Sequence, residues 1–144
     1  MTKSSEDYIE AMHVLIRETG RARVRDVAKA LNVKMPSVVK AISELKKLEL
    51  VVQEPYGDIE LTEKGLRCAT LILGRHTLLK AFLEKLGVPE KVADRDACLM
   101  EHILSAETLD RIRSFLGPDA PRKGKPAAKG KSAKGKGRGA KATA

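Results

Sequence analysis

The chain has 144 residues, 28 of them Lys or Arg and 19 Asp or Glu, for a net charge of +9. That charge is unevenly placed: from Asp119 to Ala144 nine bases face one acid, which leaves about +1 for residues 1–118. Gly, Ala and Pro supply nearly everything else in that last stretch, so it has no apolar face to bury and is expected to be a disordered tail. Met1 is followed by polar residues, and nowhere do about 18 apolar residues run together. Both features argue against export or a membrane partner and for a cytoplasmic location. In that reducing compartment Cys68 and Cys98 read as thiols, and two cysteines are too few for a structural zinc knuckle. Four aromatic residues, Tyr8, Tyr56, Phe82 and Phe115, are too few for a single-strand stacking platform, so a nucleic-acid partner is expected to be duplex.

Ser4 and Ser5 suit the N-cap of a first helix beginning near Glu6, in which Tyr8, Ile9, Met12, Leu15 and Ile16 recur at helical spacing until Gly20. A short second helix spans Val24 to Leu31 and stops at Asn32, a residue tolerant of the left-handed turn. Pro36 suits the first turn of a third helix with the apolar stripe Val38, Val39, Ile42, Leu45 and Leu48. Lys34, Ser37, Lys40, Ser43 and Lys47 fall on its more polar faces. Short helix, brief turn and longer helix is helix-turn-helix order. Leu50 to Gln53 and Ile59 to Leu61 flank the turn cluster Pro55-Tyr56-Gly57-Asp58 and read as a small hairpin placed as a wing. Thr62 caps a long fourth helix to Leu86, with Gly87 to end it. Pro89 opens a fifth to about Leu104, and Ser105 caps a sixth that runs to Leu116 before Gly117-Pro118. The fold class is therefore mainly α: a winged helix-turn-helix head over residues 1–64, an all-helical domain over 65–118, and the tail, 119–144.

A third helix of this kind fits the DNA major groove, where Pro36, Ser37 and Lys40 would reach base edges. Lys34 and the wing residues Tyr56 and Gly57 would lie on the phosphate backbone. A winged helix used only to bind protein is the alternative reading of the head.

In Cys98-Leu99-Met100-Glu101-His102 the spacings i, i+3 and i+4 put a thiol, a carboxylate and an imidazole on one side of a helix, and all three are metal ligands. The first helix offers Asp7 and Glu10 at i, i+3, and the fourth offers His76 in an otherwise apolar stretch. Singly, each has an ordinary explanation: Asp7 favoured by the helix dipole, Glu10 as a solvated charge, Cys98 as a small buried hydrophobe, His76 as a satisfied histidine. Their conjunction points to a metal centre. His13 reads as packing at the head's edge or a further ligand, and Cys68 as core.

The segments Glu6-Asp7-Tyr8-Ile9-Glu10, Pro36-Ser37-Val38, Leu61-Thr62-Glu63-Lys64-Gly65, Arg75-His76-Thr77-Leu78-Leu79 and Asp96 to His102 resemble, in order over about residues 4–116, the iron- and manganese-dependent repressors of the diphtheria toxin repressor and manganese transport regulator family. The resemblance implies a homodimer held by the all-helical domain, which becomes a dimerisation domain. It also implies a divalent metal that enables operator binding, and it puts Asp7, Glu10, His76, Cys98, Glu101 and His102 at ligand positions. Manganese-type members are similar at Asp7 and Glu10 but carry a carboxylate where Cys98 stands. Iron-type members have Cys there and Met where Asp7 stands. Lys80 replaces an acid found in many members at an accessory site, and the SH3-like third domain of the longer iron regulators is missing.

The expected function is that of a repressor of metal homeostasis genes, activated by Fe2+ or Mn2+ between head and dimerisation helices and binding an inverted-repeat operator in double-stranded DNA. Thiolate favours iron. The basic tail would add non-specific DNA contacts. The alternative is a metal-independent winged-helix nucleoid protein that uses that tail. An enzyme is not expected, since the ligand set looks saturating and no nucleophile or phosphate loop accompanies it.

Overall fold

Thr2, not Ser4 or Ser5, caps the first helix: its hydroxyl accepts from the Ser5 N–H, and helix α1 runs Lys3–Thr19 in the computed structural model, which describes residues 1–122. The sequence reading placed the start near Glu6 because Ser4 and Ser5 are good caps; they are instead the second and third residues of the helix. Gly20 ends α1 at φ 81°, a conformation that costs glycine little. Helix α2 (Val24–Leu31) ends at Asn32 with φ 52°, and α3 (Met35–Lys47) carries Pro36 in its first turn. Val38, Ala41, Ile42 and Leu45 are the buried face of α3. Val39, predicted for that stripe, is 56 % exposed: it follows Val38 by one residue, about 100° around the helix.

Strands β1 (Val51–Gln53) and β2 (Ile59–Leu61) form the antiparallel hairpin, with Val51 opposite Leu61. Ala22 adds an isolated bridge to Ile59, and the Arg21 guanidinium grips the Asp58 carboxylate through Nε at 3.0 Å and a terminal nitrogen at 3.1 Å. The wing is thus tied to the connection between α1 and α2. Helices α4 (Glu63–Lys85), α5 (Glu90–Met100) and α6 (Ala106–Leu116) follow, then a short 3-10 turn over Gly117–Asp119. Thr62 and Ser105 cap α4 and α6 as expected, accepting from the N–H groups of Gly65 and Thr108. Helix α5 stops at Met100 rather than near Leu104. Glu101 to Ile103 form turns, and the chain must reach the extended backbone of Ser105 (ψ 157°) to start α6.

Two apolar cores result. The first joins Ile9, Met12, Val27, Val38, Leu45 and Ile59 of the head to Ala69 and Ile72 of α4, with Cys68 packed against it as the sequence suggested. The second joins Leu78 and Leu79 of α4 to Ala97, Leu109, Ile112 and Leu116. Helix α4 therefore serves both. No helix among the described residues is long and apolar enough to cross a membrane. The expectations for the basic tail lie outside the described residues from 123 onward.

The start of α4 is pinned to the end of the recognition unit. Thr62 Oγ1 donates to the Glu49 carbonyl at 2.7 Å, and Lys64 Nζ donates to the Leu48 carbonyl at 2.9 Å. A Cβ on Gly65 would lie 1.9 Å from the Leu50 carbonyl oxygen, so only glycine permits this approach. Gly65→Ala is expected to destabilise the protein by about 1–3 kcal/mol or more, the cost of forcing atoms into a packed site. A lowered urea midpoint checks this; an unchanged midpoint would contradict the close approach.

Candidate metal centre

The end of α5 meets α1 and α4 around a single carboxylate. The Glu101 side chain is fully buried, and its backbone N–H still donates to the Ala97 carbonyl, so the residue continues the helical path one step past Met100. Its two oxygens serve two groups of ligand-type side chains. Asp7, Cys98 and Glu101 each present an atom within 4.8 Å of the others, and so do Glu10, His76 and Glu101. All six residues singled out in the sequence gather here, because His102 Nε2 lies 2.9 Å from Asp7 Oδ1 and 3.3 Å from Glu101 Oε1. His102 itself lies past the end of α5, in the turn, and not on the helical face assumed from spacing.

The two imidazoles are held from behind by carboxylates that the sequence reading passed over. His102 Nδ1 donates to Glu6 Oε2, and His76 Nε2 donates to Asp94 Oδ1 at 2.9 Å. Asp94 was findable: positions 94, 98 and 101 repeat at i, i+4 and i+7 on α5, one face of a helix. Glu6 lacked such a signal, since its partner is 96 residues away in the turn.

With Nδ1–H committed to Glu6, a neutral His102 turns its Nε2 lone pair toward the carboxylates of Asp7 and Glu101. These are close approaches, not hydrogen bonds: among the described residues the buried atoms left without a partner are Glu101 Oε1 and His102 Nε2. A lone pair facing anionic oxygens is repulsive, and leaving such atoms unpaired is costly. A divalent cation would satisfy both, and three carboxylates, two imidazoles and a thiol suit one. The residues present fit a metal.

Proton affinities reflect the crowding. The Glu10 carboxyl is pushed up to about 7, by burial first and then by the Glu101 carboxylate. His76 is held up to about 9, chiefly by its hydrogen bond to Glu101, with burial opposing and Asp94 adding. Burial, then Glu101, pushes the Cys98 thiol up to about 11. His13 stands apart: it lines a cavity of about 470 Å³ with Arg17, Leu71 and Leu109 and belongs to neither ligand group. Burial, then Arg17, lowers its proton affinity.

The residues read as a DNA face lie on two elements. Lys34, Pro36, Ser37 and Lys40 are exposed along the start of α3, and Tyr56 is fully exposed at the hairpin turn with Gly57 half-buried beside it. No side chain caps α3; Pro36 has no N–H to offer, and the Ser37 N–H donates to the Lys34 carbonyl at 3.0 Å. Met35 and Val39, 52 % and 56 % exposed on the same helix, were not expected there.

Residues 1–59 match the family described as "Iron dependent repressor, N-terminal DNA binding domain", and residues 62–126 match "Iron dependent repressor, metal binding and dimerisation domain". The HTH-type transcriptional regulator MntR of Geobacillus kaustophilus is 45 % identical over 115 residues, covering 80 % of this chain and 82 % of its own. The chain belongs to the iron-dependent repressor family. An HTH-type transcriptional regulator of Methanocaldococcus jannaschii is 42 % identical over 81 % of this chain and 94 % of its own. Among solved structures, T. acidophilum IdeR matches with TM-score 0.71 and 30 % identity, over 78 % of this chain and 53 % of that one. The chain thus spans about half the length of that regulator. It is a metal-dependent, DNA-binding transcriptional repressor with a dimerisation domain, and the metal-independent nucleoid alternative is not favoured.

The fold favours protonated Glu10: the group titrates near 4.5 when free and about 7 here. Below 4.5 it is protonated in both states; as pH rises through 7 the fold must hold a charge it disfavours, and stability falls. His76 behaves oppositely in origin, its contribution being complete below 6.5 and lost as pH rises through about 9. In chelator, Glu10→Gln is expected to raise the Tm by a few degrees at about pH 8 and by much less at about pH 5. An equal gain at both pH values in scanning calorimetry would refute this account of the site.

Proposed function

We propose that Asp7, Glu10, His76, Cys98, Glu101 and His102 hold Fe2+ or Mn2+, and that this centre controls operator binding by the head. The observation that carries the reading is the fully buried Glu101 carboxylate, shared by both ligand groups and facing an unpartnered imidazole nitrogen. When bound, the ion supplies the positive charge that lets these carboxylates lie together unprotonated. Glu6 and Asp94 fix the tautomers of the two histidines, so that each turns its other nitrogen inward. Asp7 and Glu10 stand on α1, which packs directly on α2 and α3. Loading the centre therefore restrains the head against α4 and α5, and in a dimer this sets the separation of two recognition helices.

Cys98 supports iron, since a thiol is a softer donor than the carboxylates around it. On the DNA side, Ser37 and Lys40 are the base-reading residues, with Pro36 at the groove, and exposed Met35 and Val39 offer apolar contacts to thymine methyls. Lys34, Tyr56 and Gly57 hold the backbone. The target is an inverted repeat in double-stranded DNA near metal homeostasis genes, bound in the cytoplasm.

The test is anaerobic binding to genomic fragments with and without Fe2+ or Mn2+. Wild type is expected to retain specific fragments only with metal, and His102→Ala is expected to need roughly 10–100-fold more metal. Binding that ignores both metal and mutation would refute the reading.

The nine bases of residues 119–144 support a second, sequence-independent contact with duplex. Deleting residues 119–144 is expected to flatten the dependence of DNA affinity on salt while leaving the metal response intact. Loss of metal-dependent recognition in the deletion would overturn this role.

A further inference from the structure

The cavity of about 470 Å³ that His13 lines is walled by three helices. On α1, His13 and Arg17 stand one turn apart. On α4, Leu71, Arg75 and Leu78 recur at i, i+4 and i+7 with Gly74 beside them, and on α6 Leu109 and Arg113 stand at i, i+4. Pro121 and Arg122 join the wall. The surface is mainly apolar, and the volume is that of a small-molecule site.

Its charge is one-sided. Arg17, Arg75, Arg113 and Arg122 line the cavity against one acid, Asp110. The arginines that pair with carboxylates among the described residues are Arg21, Arg23, Arg25, Arg67 and Arg95, none of them at the cavity. Arg113 donates to the Pro121 carbonyl at 3.0 Å, which occupies one of its five N–H groups. Positive charge thus gathers over an apolar floor, where low-dielectric walls strengthen its field. His13 is only 7 % exposed. Burial and then Arg17 set its proton affinity, with no hydrogen bond contributing. A buried imidazole without a protein partner is costly, and a ligand oxygen accepting its N–H would relieve that cost. At Gly74 an added Cβ would meet nothing within 4 Å, so the space over α4 is open.

We propose that this cavity binds an organic carboxylate with an apolar body. The leucines take the body, while His13 and the arginines take the carboxylate, whose paired oxygens match the guanidinium fork. A cation is repelled there, and so is the basic stretch of sequence after Arg122. The ligand touches α1 of the head and α4 and α6 of the helical domain at once, which makes it a clamp across the joint between them. The cavity shares no residue with the metal centre, so the proposal stands or falls apart from that reading.

The experiment is calorimetric titration of the full-length protein with decanoate, with decyltrimethylammonium as the same body of opposite charge and acetate as the charge without the body. Decanoate alone is expected to bind saturably. Arg75→Gln and Arg113→Gln are each expected to weaken it roughly tenfold. Gly74→Leu, which fills the open space, is expected to abolish binding while helical content and Tm stay at or above those of wild type. If Gly74→Leu does not fold, the arginine variants decide. Wild type that takes up decanoate and decyltrimethylammonium alike, or neither, would overturn the proposal, as would decanoate binding that ignores both Gly74→Leu and the arginine variants. Sedimentation of the same samples adds a second check. If decanoate or Gly74→Leu splits a dimer into single chains, a second copy occupies this face and the proposal fails.

Discussion

A buried carboxylate must be matched by positive charge or by hydrogen-bond donors, and the organisation of this protein follows from how Glu101 meets that requirement. Its side chain is wholly out of water, at the point where α5 ends and α1 and α4 pass. One oxygen is satisfied by His76; the other faces His102 without a hydrogen bond. That half-satisfied state adds an electrostatic link to the apolar one by which α4 already joins the head to the helical domain. It also makes this the place where a proton, or the metal of the proposed centre, would supply the missing partner.

The surrounding charges are ordered in layers. Closest in are the carboxylates, imidazoles and thiol of the centre. Behind each histidine stands a further carboxylate, Glu6 for His102 and Asp94 for His76. Behind Asp94 stands Lys80, itself paired with Glu90. Alternating sign in this way lets a dense set of acids share a small volume at tolerable cost, because each charge has an opposite neighbour.

Much of this was legible in the sequence, for identifiable reasons. Caps with a chemical signature, Thr62 and Ser105, marked the helix starts correctly, as did Gly20 and Asn32 the stops, because each acts through its own local backbone. Ser4 and Ser5 misled because three residues within four positions could all cap, and the hydrogen bonds of Ser5 to the Thr2 hydroxyl select Thr2. Val39 misled because β-branched apolar residues look like core wherever they occur, and exposure on a recognition surface has no compositional mark. Spacing within a helix singled out the candidate ligands Asp7 with Glu10 on α1 and Cys98 with Glu101 at the end of α5, while His102 lies in the turn beyond that helix. Glu6 did not, since its role depends on a turn nearly a hundred positions away, and no local pattern encodes that meeting.

Helix α4 lends Ala69 and Ile72 to one core and Leu78 and Leu79 to the other. The DNA-reading unit is therefore not a portable module. A chain cut after the wing would remove Ala69 and Ile72 from the core they share with α1 and β2, so the unit cannot be exchanged among proteins like a bead on a string. Regulation and recognition are inherited together in this architecture, because the rod that senses is also a wall of the part that reads.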